Sequence, residues 1–481
     1  MDSKKKSIII AIMVAMFLGA VEGTVVTTAI PTIVKDLNGF ELISWVFSAY
    51  LLTSAISTPI YGKLSDLFGR KNTLTVGIII FLIGSSLCGL SSSMYQLIAF
   101  RALQGIGAGA IFTITYTIVG DIFTLAERGK VQGWLGTVWG IASLTGPFLG
   151  GFLIDSFSWH WIFFINIPFG ILSIVLLQKN LDEKFERKKH KIDYLGTLLL
   201  STAIISVLYA VLIGGKTDKW YSISTIALFL TAGAMMLVFY FVEKRAEEPI
   251  IPFEIFTKAN IIINIISFFS SAILIGADVY MPIYMQNVLG YSATVSGLAM
   301  APMSVAWLLA SVFLVKHIAK RGEKTVIGAA LVILLLSCAL LLLLGVKSSL
   351  IMVVIIVFIM GFGFGGAFTT LTIVVQASVD YSKRGAATAS NSLVRTLGQT
   401  IGVSIFGSMF NLSIIKYFNN IGITGIKPNS IYSTTSTGLN LSLQNIEASL
   451  NSGLHVIFIA LIVFSVISLL LSVTLSSELK E

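Results

Sequence analysis

The chain has 481 residues, of which 56% are hydrophobic and only 11% are charged, and its mean hydropathy is +0.91. A soluble chain normally has about a quarter of its residues charged, so this composition excludes a soluble domain and predicts an all-α polytopic membrane protein. The formal charge of +9 would suit nucleic acid, but the placement of the basic residues, described below, argues against that partner. The chain has only two cysteines, and both lie in apolar runs, which argues against a disulfide framework and against a cysteine metal site.

A helix needs roughly 20 mostly apolar residues to cross a bilayer, and the sequence supplies fourteen such segments. The first follows MDSKKK and is too long for a signal-peptide core, so we predict that it is retained. In chain order the predicted spans are residues 7–34, 42–61, 73–93, 95–119, 131–154, 160–178, 194–213, 221–242, 260–285, 293–315, 325–345, 349–378, 386–412 and 454–476.

The basic residues predict the orientation, because Lys and Arg accumulate in cytoplasmic loops. With the N-terminus inside, 24 of the 32 Lys and Arg lie in the termini and cytoplasmic loops. If the number of predicted spans changed by one, the excess of Lys and Arg in the cytoplasmic loops would disappear. We therefore predict a multi-pass protein of the cell membrane with both termini cytoplasmic, and we attribute most of the net charge to topology.

A weak repeat divides the spans into six, two and six. The segments 66–85 and 318–337 both pass from a basic glycine turn into an apolar helix, and parallel halves of this kind occur in transporters. The predicted domains are an N-terminal half, 1–180, a linker with a central helix pair, 181–258, and a C-terminal half, 259–481. We expect the long outer loop 413–453 to form a flexible cap. The charged segment 178–193 is either a solvated linker or a contact for lipid headgroups.

Four ionisable residues remain at membrane depth: Glu22, Asp278, Arg101 and Arg395. An acid at the centre of a span costs on the order of 3 kcal/mol on insertion scales, and such residues usually face a cavity or a partner. We predict that Glu22 and Asp278 lie in a water-filled cleft and exchange protons there. The alternatives are a neutral Glu22 that hydrogen-bonds to nearby threonines and an Asp278 whose side chain extends towards water.

Arg101 lies about six residues into its predicted helix, roughly 9 Å below the outer end. Its long side chain can therefore reach the depth of Glu22. We predict that the two residues take part together in proton coupling. A purely structural ion pair is the alternative.

Three glycine patterns lie inside predicted spans. GIGAGA (105–110) and GFGFGG (361–366) lack the preceding strand of a dinucleotide site, so we predict that they pack helices closely. In GIASLTGPFLGG (140–151), Gly146 and Pro147 predict a bend beside a smooth face, which suits either a rocking helix or a static kink. The sequence has no GxxxxGK[ST] phosphate loop.

These motifs resemble those of the major facilitator superfamily. GKLSDLFGRKN (62–72) is similar to its loop signature, RALQGIGAG (101–109) to its fourth-helix motif, and GIASLTGPFLGG to its antiporter motif. VEGTVVTTAIP, WVFSAYLL and WIFFINIPFG resemble the fourteen-helix drug:proton antiporters in particular. The resemblance implies a monomeric exporter that exchanges lipophilic cations for protons by alternating access, with no cofactor.

The resemblance also implies roles for individual residues. The loop signature gates the cytoplasmic side in that family, which assigns gating to Gly62, Asp66, Gly69 and Arg70. Physically, Asp66 can engage a helix N-terminus and the Arg70 guanidinium. The fifth-helix motif assigns the conformational change of export to Gly146 and Pro147, and the fourth-helix motif assigns proton handling to Arg101.

We therefore predict a proton-driven exporter of lipophilic, mostly cationic compounds whose partners are its cargo, protons and lipid. Glu22 and Asp278 would bind the cargo together with the aromatic residues Trp45, Tyr50, Tyr280 and Tyr284, which can make cation–π contacts. Two alternatives stay open: an exporter of an endogenous metabolite, peptide or lipid, and a non-transporting receptor or scaffold. We predict no enzyme and no metal site, because no deep His cluster or nucleophile–base pattern is visible.

Overall fold

The structure is a computed structural model that describes residues 3–123, 125–181, 193–217, 221–246, 253–314, 317, 321–379, 384–426, 428 and 442–475. Apart from two short 3₁₀ turns, the regular structure in these residues is α-helical. The helices are α1 (Ser3–Asp36), α2 (Ile43–Phe68), α3 (Arg70–Gly89), α4 (Met94–Ile122), α5 (Leu125–Ser156), α6 (Trp161–Phe164), α7 (Asn166–Asn180), α8 (Tyr194–Thr217), α9 (Ile223–Glu243), α10 (Lys258–Asn287), α11 (Ala293–Phe313), α12 (Glu323–Leu341), α13 (Leu350–Ala377), α14 (Arg384–Asn420) and α15 (Leu443–Val473).

Some of the described helices begin at a short polar side chain that caps them. A serine or threonine oxygen accepts a hydrogen bond from a first-turn backbone N–H and so satisfies one of the donors that a helix start leaves open. Six helix starts have this arrangement, with caps at Ser93, Ser222, Thr257, Ser292, Ser349 and Ser442.

Within the described residues, thirteen helices are long and apolar enough to cross a membrane. The segment Trp161–Asn180, which contains α6 and α7, counts as one of them, and α8 adds a shorter apolar stretch, Leu195–Val211. The all-helical prediction is therefore confirmed with thirteen to fourteen apolar helices. Fourteen crossings and cytoplasmic termini stay predictions, as do the domain boundaries.

The predicted outer loop 413–453 is shorter than expected. Helix α14 continues to Asn420, and α15 already begins at Leu443. Ile414 and Phe418 lie one turn apart and are fully buried, so an apolar face holds this end of α14 in the bundle. Polar residues on its other face obscured that pattern in the sequence. Residues 427 and 429–441 of the predicted cap lie outside the described residues.

The glycines of GIGAGA pack α4 against two neighbours, as predicted. A side chain at Gly105 would overlap the backbone of Tyr50 in α2, and Gly109 also faces α2. Gly107 faces the other way and would overlap the backbone of Phe81 in α3. Alternating small residues therefore let α4 approach both helices closely.

The glycines of GFGFGG do the same in the second half. Gly361 and Gly365 lie against the backbones of Met303 and Trp307 in α11, while Gly363 faces α12. Helix α13 thus packs between α11 and α12 as α4 packs between α2 and α3. The two halves share a packing scheme as well as a sequence pattern.

The halves touch each other at one end of the bundle. We call the end where α1 begins the proximal end and the end where α1 finishes the distal end. Near the distal end, the hydroxyls of Ser48 in α2 and Ser404 in α14 are 3.0 Å apart, and Gln286 Nε2 in α10 donates to the Thr28 carbonyl in α1 at 2.9 Å. These contacts hold the two halves together in this conformation.

Helices α8 and α9 pack against each other, and α8 also packs against both halves. Leu199, Leu200 and Ile204 of α8 belong to a small apolar cluster that contacts Leu52 of α2 and Leu397 of α14. The central pair is therefore attached beside the contact between α2 and α14.

Candidate functional site

Glu22 lies in the middle of α1 and is 1% exposed. Its Oε1 forms an ion pair with Nη1 of Arg101, which lies in α4 and is also 1% exposed. The sequence placed the two residues at compatible depths, and the structure joins them. Their role in proton coupling is not tested by this contact.

Arg101 is fixed by three further contacts. Its Nε donates to the Val46 carbonyl at 3.3 Å, and its Nη1 donates to Gln104 Oε1 at 2.8 Å. The guanidinium carbon lies 4.2 Å from the centre of the Tyr50 ring, within the range of a cation–π contact. These neighbours offset part of the cost of removing the cation from water.

Asn166 completes the site, and sequence reasoning missed it. Its Nδ2 donates to Glu22 Oε2 at 2.7 Å and to Ser85 Oγ at 3.0 Å, while Ser85 Oγ donates to the Phe163 carbonyl at 2.8 Å. Asn166 follows the break between α6 and α7 at Ile165. The available signal was that Asn166 is the single polar residue in WIFFINIPFGIL.

Glu22 does not use the threonines that the sequence offered as partners. Thr24 donates to the carbonyls of Val21 and Ala142, and Thr27 and Thr28 donate to backbone carbonyls one turn earlier in α1. Helical geometry favours these local bonds, since a hydroxyl readily reaches the carbonyl three or four residues before it.

The expected water-filled cleft does not reach Glu22 in this conformation. Arg101 and Asn166 occupy both carboxylate oxygens, and Gln104 and Ser85 beside them are fully buried. The site is a sealed, paired network. Exchange of a proton with water would need a conformation in which this network opens.

Asp278 lies in α10, separate from this network and four residues before Pro282. Its side chain is partly exposed. Among the described residues, its carboxylate has no hydrogen bond and no ion pair. The two predicted acids thus have different environments: Glu22 is fully buried and paired, whereas Asp278 is partly exposed and has no partner among the described residues.

The four predicted aromatic residues are divided among different contacts. Tyr50 covers Arg101, and Trp45 meets Tyr209 of the central pair edge to face at 6.3 Å. Tyr280 is 1% exposed among phenylalanines, and the Tyr284 hydroxyl donates to the Gly345 carbonyl at 2.7 Å. Tyr280 and Tyr284 are therefore buried packing residues in this conformation, because neighbouring helices cover them.

The predicted gating residues lie at the proximal turn between α2 and α3. Gly69 has φ = +89°, a value that suits glycine and allows one residue to join two helices. Arg70 Nη1 donates to Ser65 Oγ at 3.0 Å, and Ser65 Oγ donates to the Gly62 carbonyl at 2.7 Å. The Asp66 side chain lies outside the described part of the structure, so its predicted contact with Arg70 stays a prediction.

Helix α5 packs against α1 of the same half through its glycines. Gly146 and Gly150 face α1, where an added side chain would overlap Thr24 and the Val25 backbone. Helix α5 is one continuous helix that contains Pro147. It therefore continues through the predicted bend.

On its other side α5 meets α11. Gly297 of α11 faces the Pro147 carbonyl so closely that a Cβ would overlap it, and Gly151 faces the backbone of Ala293. At the distal end, Asp155 Oδ2 accepts a hydrogen bond from the Thr294 N–H at 2.9 Å, in the first turn of α11. Backbone-to-backbone packing and one carboxylate thus connect the halves here.

Sequence comparison identifies proteins that this chain resembles. The family model described as Major Facilitator Superfamily matches residues 12–403. Multidrug resistance protein 3 of Bacillus subtilis is 36% identical over 409 residues, which cover 85% of this chain and 80% of that protein. Multidrug efflux pump SdrM of Staphylococcus aureus is 31% identical over 409 residues, covering 84% and 90%.

Solved structures resemble the fold. A bacterial homologue of the human lysosomal transporter Spinster, in an inward-facing and unoccupied conformation, matches with a TM-score of 0.73 and 15% identity over 99% of this chain and 98% of that one. The D-xylose-proton symporter matches with a TM-score of 0.66 and 14% identity over 99% of both chains. At these identities the likeness shows the fold alone.

Proposed function

The chain belongs to the Major Facilitator Superfamily, a family of membrane transporters and not of enzymes, and we propose that it is a drug:proton antiporter. In this proposal it exports lipophilic, mostly cationic compounds by alternating access, as a monomer, without a cofactor. Relatives named as multidrug resistance or efflux proteins support the cargo class. The buried network around Glu22 is the observation that carries the coupling.

The network can couple proton binding to a change of conformation. While Glu22 is charged, it holds α1 to α4 through Arg101 and to α7 through Asn166. A proton on the carboxylate removes the Coulomb attraction and leaves a buried, uncompensated guanidinium, which is costly. The conformation with Arg101 in water then becomes favourable. Binding of a proton to Glu22 therefore disfavours the closed conformation of the network.

The proton gradient can supply the energy, and the membrane potential contributes when more positive charge enters with protons than leaves with the cargo. One elementary charge that crosses 100 mV is worth about 2.3 kcal/mol. We place the proximal end in the cytoplasm, because most Lys and Arg lie there in the predicted topology. The distal contacts Ser48–Ser404 and Gln286–Thr28 would then close the extracellular side, and cargo would enter from the cytoplasmic side.

Asp278 would then hold the cargo. A carboxylate without a protein partner, in a spanning helix and partly exposed, can pair with an organic cation. Glu22, whose oxygens are occupied, would bind the proton. In this proposal the two acids have separate tasks, whereas the sequence alone did not distinguish which acid binds the proton and which binds the cargo.

The test is efflux of a fluorescent cationic dye from energised vesicles. We expect Glu22→Gln to abolish uncoupler-sensitive efflux and Asp278→Asn to raise the apparent KM for the dye. Asp36→Asn is the matched control, because Asp36 ends the same helix and accepts a bond from Trp159 outside the network. Full, uncoupler-sensitive efflux by both test variants would refute the proposal.

A second measurement distinguishes lipophilic cations from the alternative cargo, which is an endogenous metabolite, peptide or lipid. Purified protein should release protons when a cationic dye binds. Release with metabolites or peptides and none with any lipophilic cation would favour the alternative.

A further inference from the structure

Arg395 is a second arginine inside a spanning helix, and it has no acidic partner. It lies in α14, where its Nη2 donates to the Phe368 carbonyl at 3.3 Å and to Thr372 Oγ1 at 2.9 Å, both in α13. Its Nε is buried without a hydrogen-bond partner, and no described carboxylate forms an ion pair with it. Arg101, by contrast, is paired.

Aromatic rings extend from this guanidinium. Its central carbon lies 4.7 Å from the centre of the Phe368 ring. Phe368 stacks on Trp307 of α11 at 5.3 Å with only 9° between the planes, and Phe364 stacks on both. Phe364 and Phe368 are buried, and Trp307 is partly exposed, so Trp307 is the accessible part of this stack beside the unpaired cation.

The guanidinium points into the bundle. Leu393 and Leu397 of α14 pack towards the central pair, and Arg395, two residues from each, lies about 200° around the helix from both. Its side chain is partly exposed. Because charged side chains in spanning helices face the bundle interior or a water-filled cavity, we take this exposed part to face the inside of the transporter.

We propose that Arg395, Thr372 and the Phe368–Trp307 stack form a subsite for the carboxylate of an aromatic cargo. This rests on the proposed export function and extends it from lipophilic cations to aromatic zwitterions and acids. Arg395 Nε and a remaining guanidinium N–H can donate to one carboxylate in parallel, the arrangement that guanidinium groups favour. The cargo ring would pack against the exposed part of Trp307, which Phe368 supports from within the bundle.

A matched pair of dyes tests the subsite. A rhodamine methyl ester is a lipophilic cation, and the corresponding free acid is a zwitterion with the same rings. Efflux of both is measured in energised vesicles that contain the full chain. We expect Arg395→Gln to raise the apparent KM for the acid about ten-fold or more, as loss of a charge-assisted bond predicts, and to change the KM for the ester less than about two-fold.

Two variants guard against a folding defect. Arg395→Lys keeps the positive charge but loses the parallel N–H donors, so it should retain transport of the acid only in part. Thr370→Val, in the same helix but outside the subsite, removes only a local bond to the Gly366 carbonyl and should leave transport of both dyes unchanged. Each variant must match the unmodified protein in yield and in elution as a single species.

The outcomes are distinct. Equal losses for ester and acid would give Arg395 a structural role and overturn the subsite. Export of the ester with no export of the acid would also overturn it, while the proposed function stands. If the unmodified protein exports neither dye, the proposed function and the subsite both fail.

Discussion

Breaking the Glu22–Arg101 pair from either side should destabilise the protein more than removing both charges together. Both side chains are 1% exposed. Arg101→Gln leaves a buried carboxylate, and Glu22→Gln leaves a guanidinium that cannot lose its proton. The double variant leaves two neutral amides, which can hydrogen-bond to Asn166, Gln104 and each other.

The magnitude follows from burial. Removing one partner of a buried pair costs roughly 3–5 kcal/mol. The double variant loses the bond from Arg101 to the Val46 carbonyl and the pair itself, but it leaves no uncompensated charge. We expect it to lose only about 1–3 kcal/mol, which gives a coupling energy of about 3 kcal/mol or more between the two sites.

Thermal unfolding of detergent-purified protein provides the assay. The expected order of stability is unmodified protein, double variant and then either single variant, with Asp36→Asn close to the unmodified protein. If the losses of the single variants add up to that of the double variant, the two charges do not support each other, and the reasoning is refuted.

Three further outcomes are expected. Asn166→Ala removes the N–H donated to Glu22, so the pH midpoint of efflux in vesicles should move upwards, by up to about one pH unit; an unchanged pH profile would contradict this. Gly297→Ala should weaken the distal contact of α5 and α11 by about 1–3 kcal/mol, seen as faster labelling of a cysteine placed in the α10–α11 turn. Gly328→Ala is its control, because a Cβ there meets nothing within 4 Å, and equal labelling would refute the packing argument. Asp155→Asn should speed the same labelling only about two- to five-fold, since a carboxylate at a helix N-terminus is worth about 0.3–1 kcal/mol, and no change would show that its bond to α11 is not limiting.

The sequence predicted the helices well, because apolar length and basic loops are local properties. It also placed Glu22 and Arg101 at compatible depths. It did not predict Asn166, since a neutral amide in an apolar helix has no signature until the fold places a carboxylate beside it. Gln104 was missed for the same reason.

The sequence did not predict which faces of the helices meet other helices, and the cargo-binding roles of Tyr280 and Tyr284 stay predictions. Tyr280 and Tyr284 are packed inside the second half, because the pattern of a spanning helix does not say which apolar face meets another helix. The long outer loop was overestimated since the last turns of α14 have polar residues on one face. Such choices depend on tertiary contacts, which composition does not encode.

The position of the central helix pair makes the two sides of the molecule unequal. Because α8 contacts both α2 and α14, it covers the interface between these two helices. The opposite seam, between α5 and α11, has no described helix of this pair against it. A hydrophobic molecule that enters the transporter laterally from the bilayer would therefore be excluded at the α2–α14 interface. Its remaining lateral route would run between α5 and α11, beside the glycines of α5.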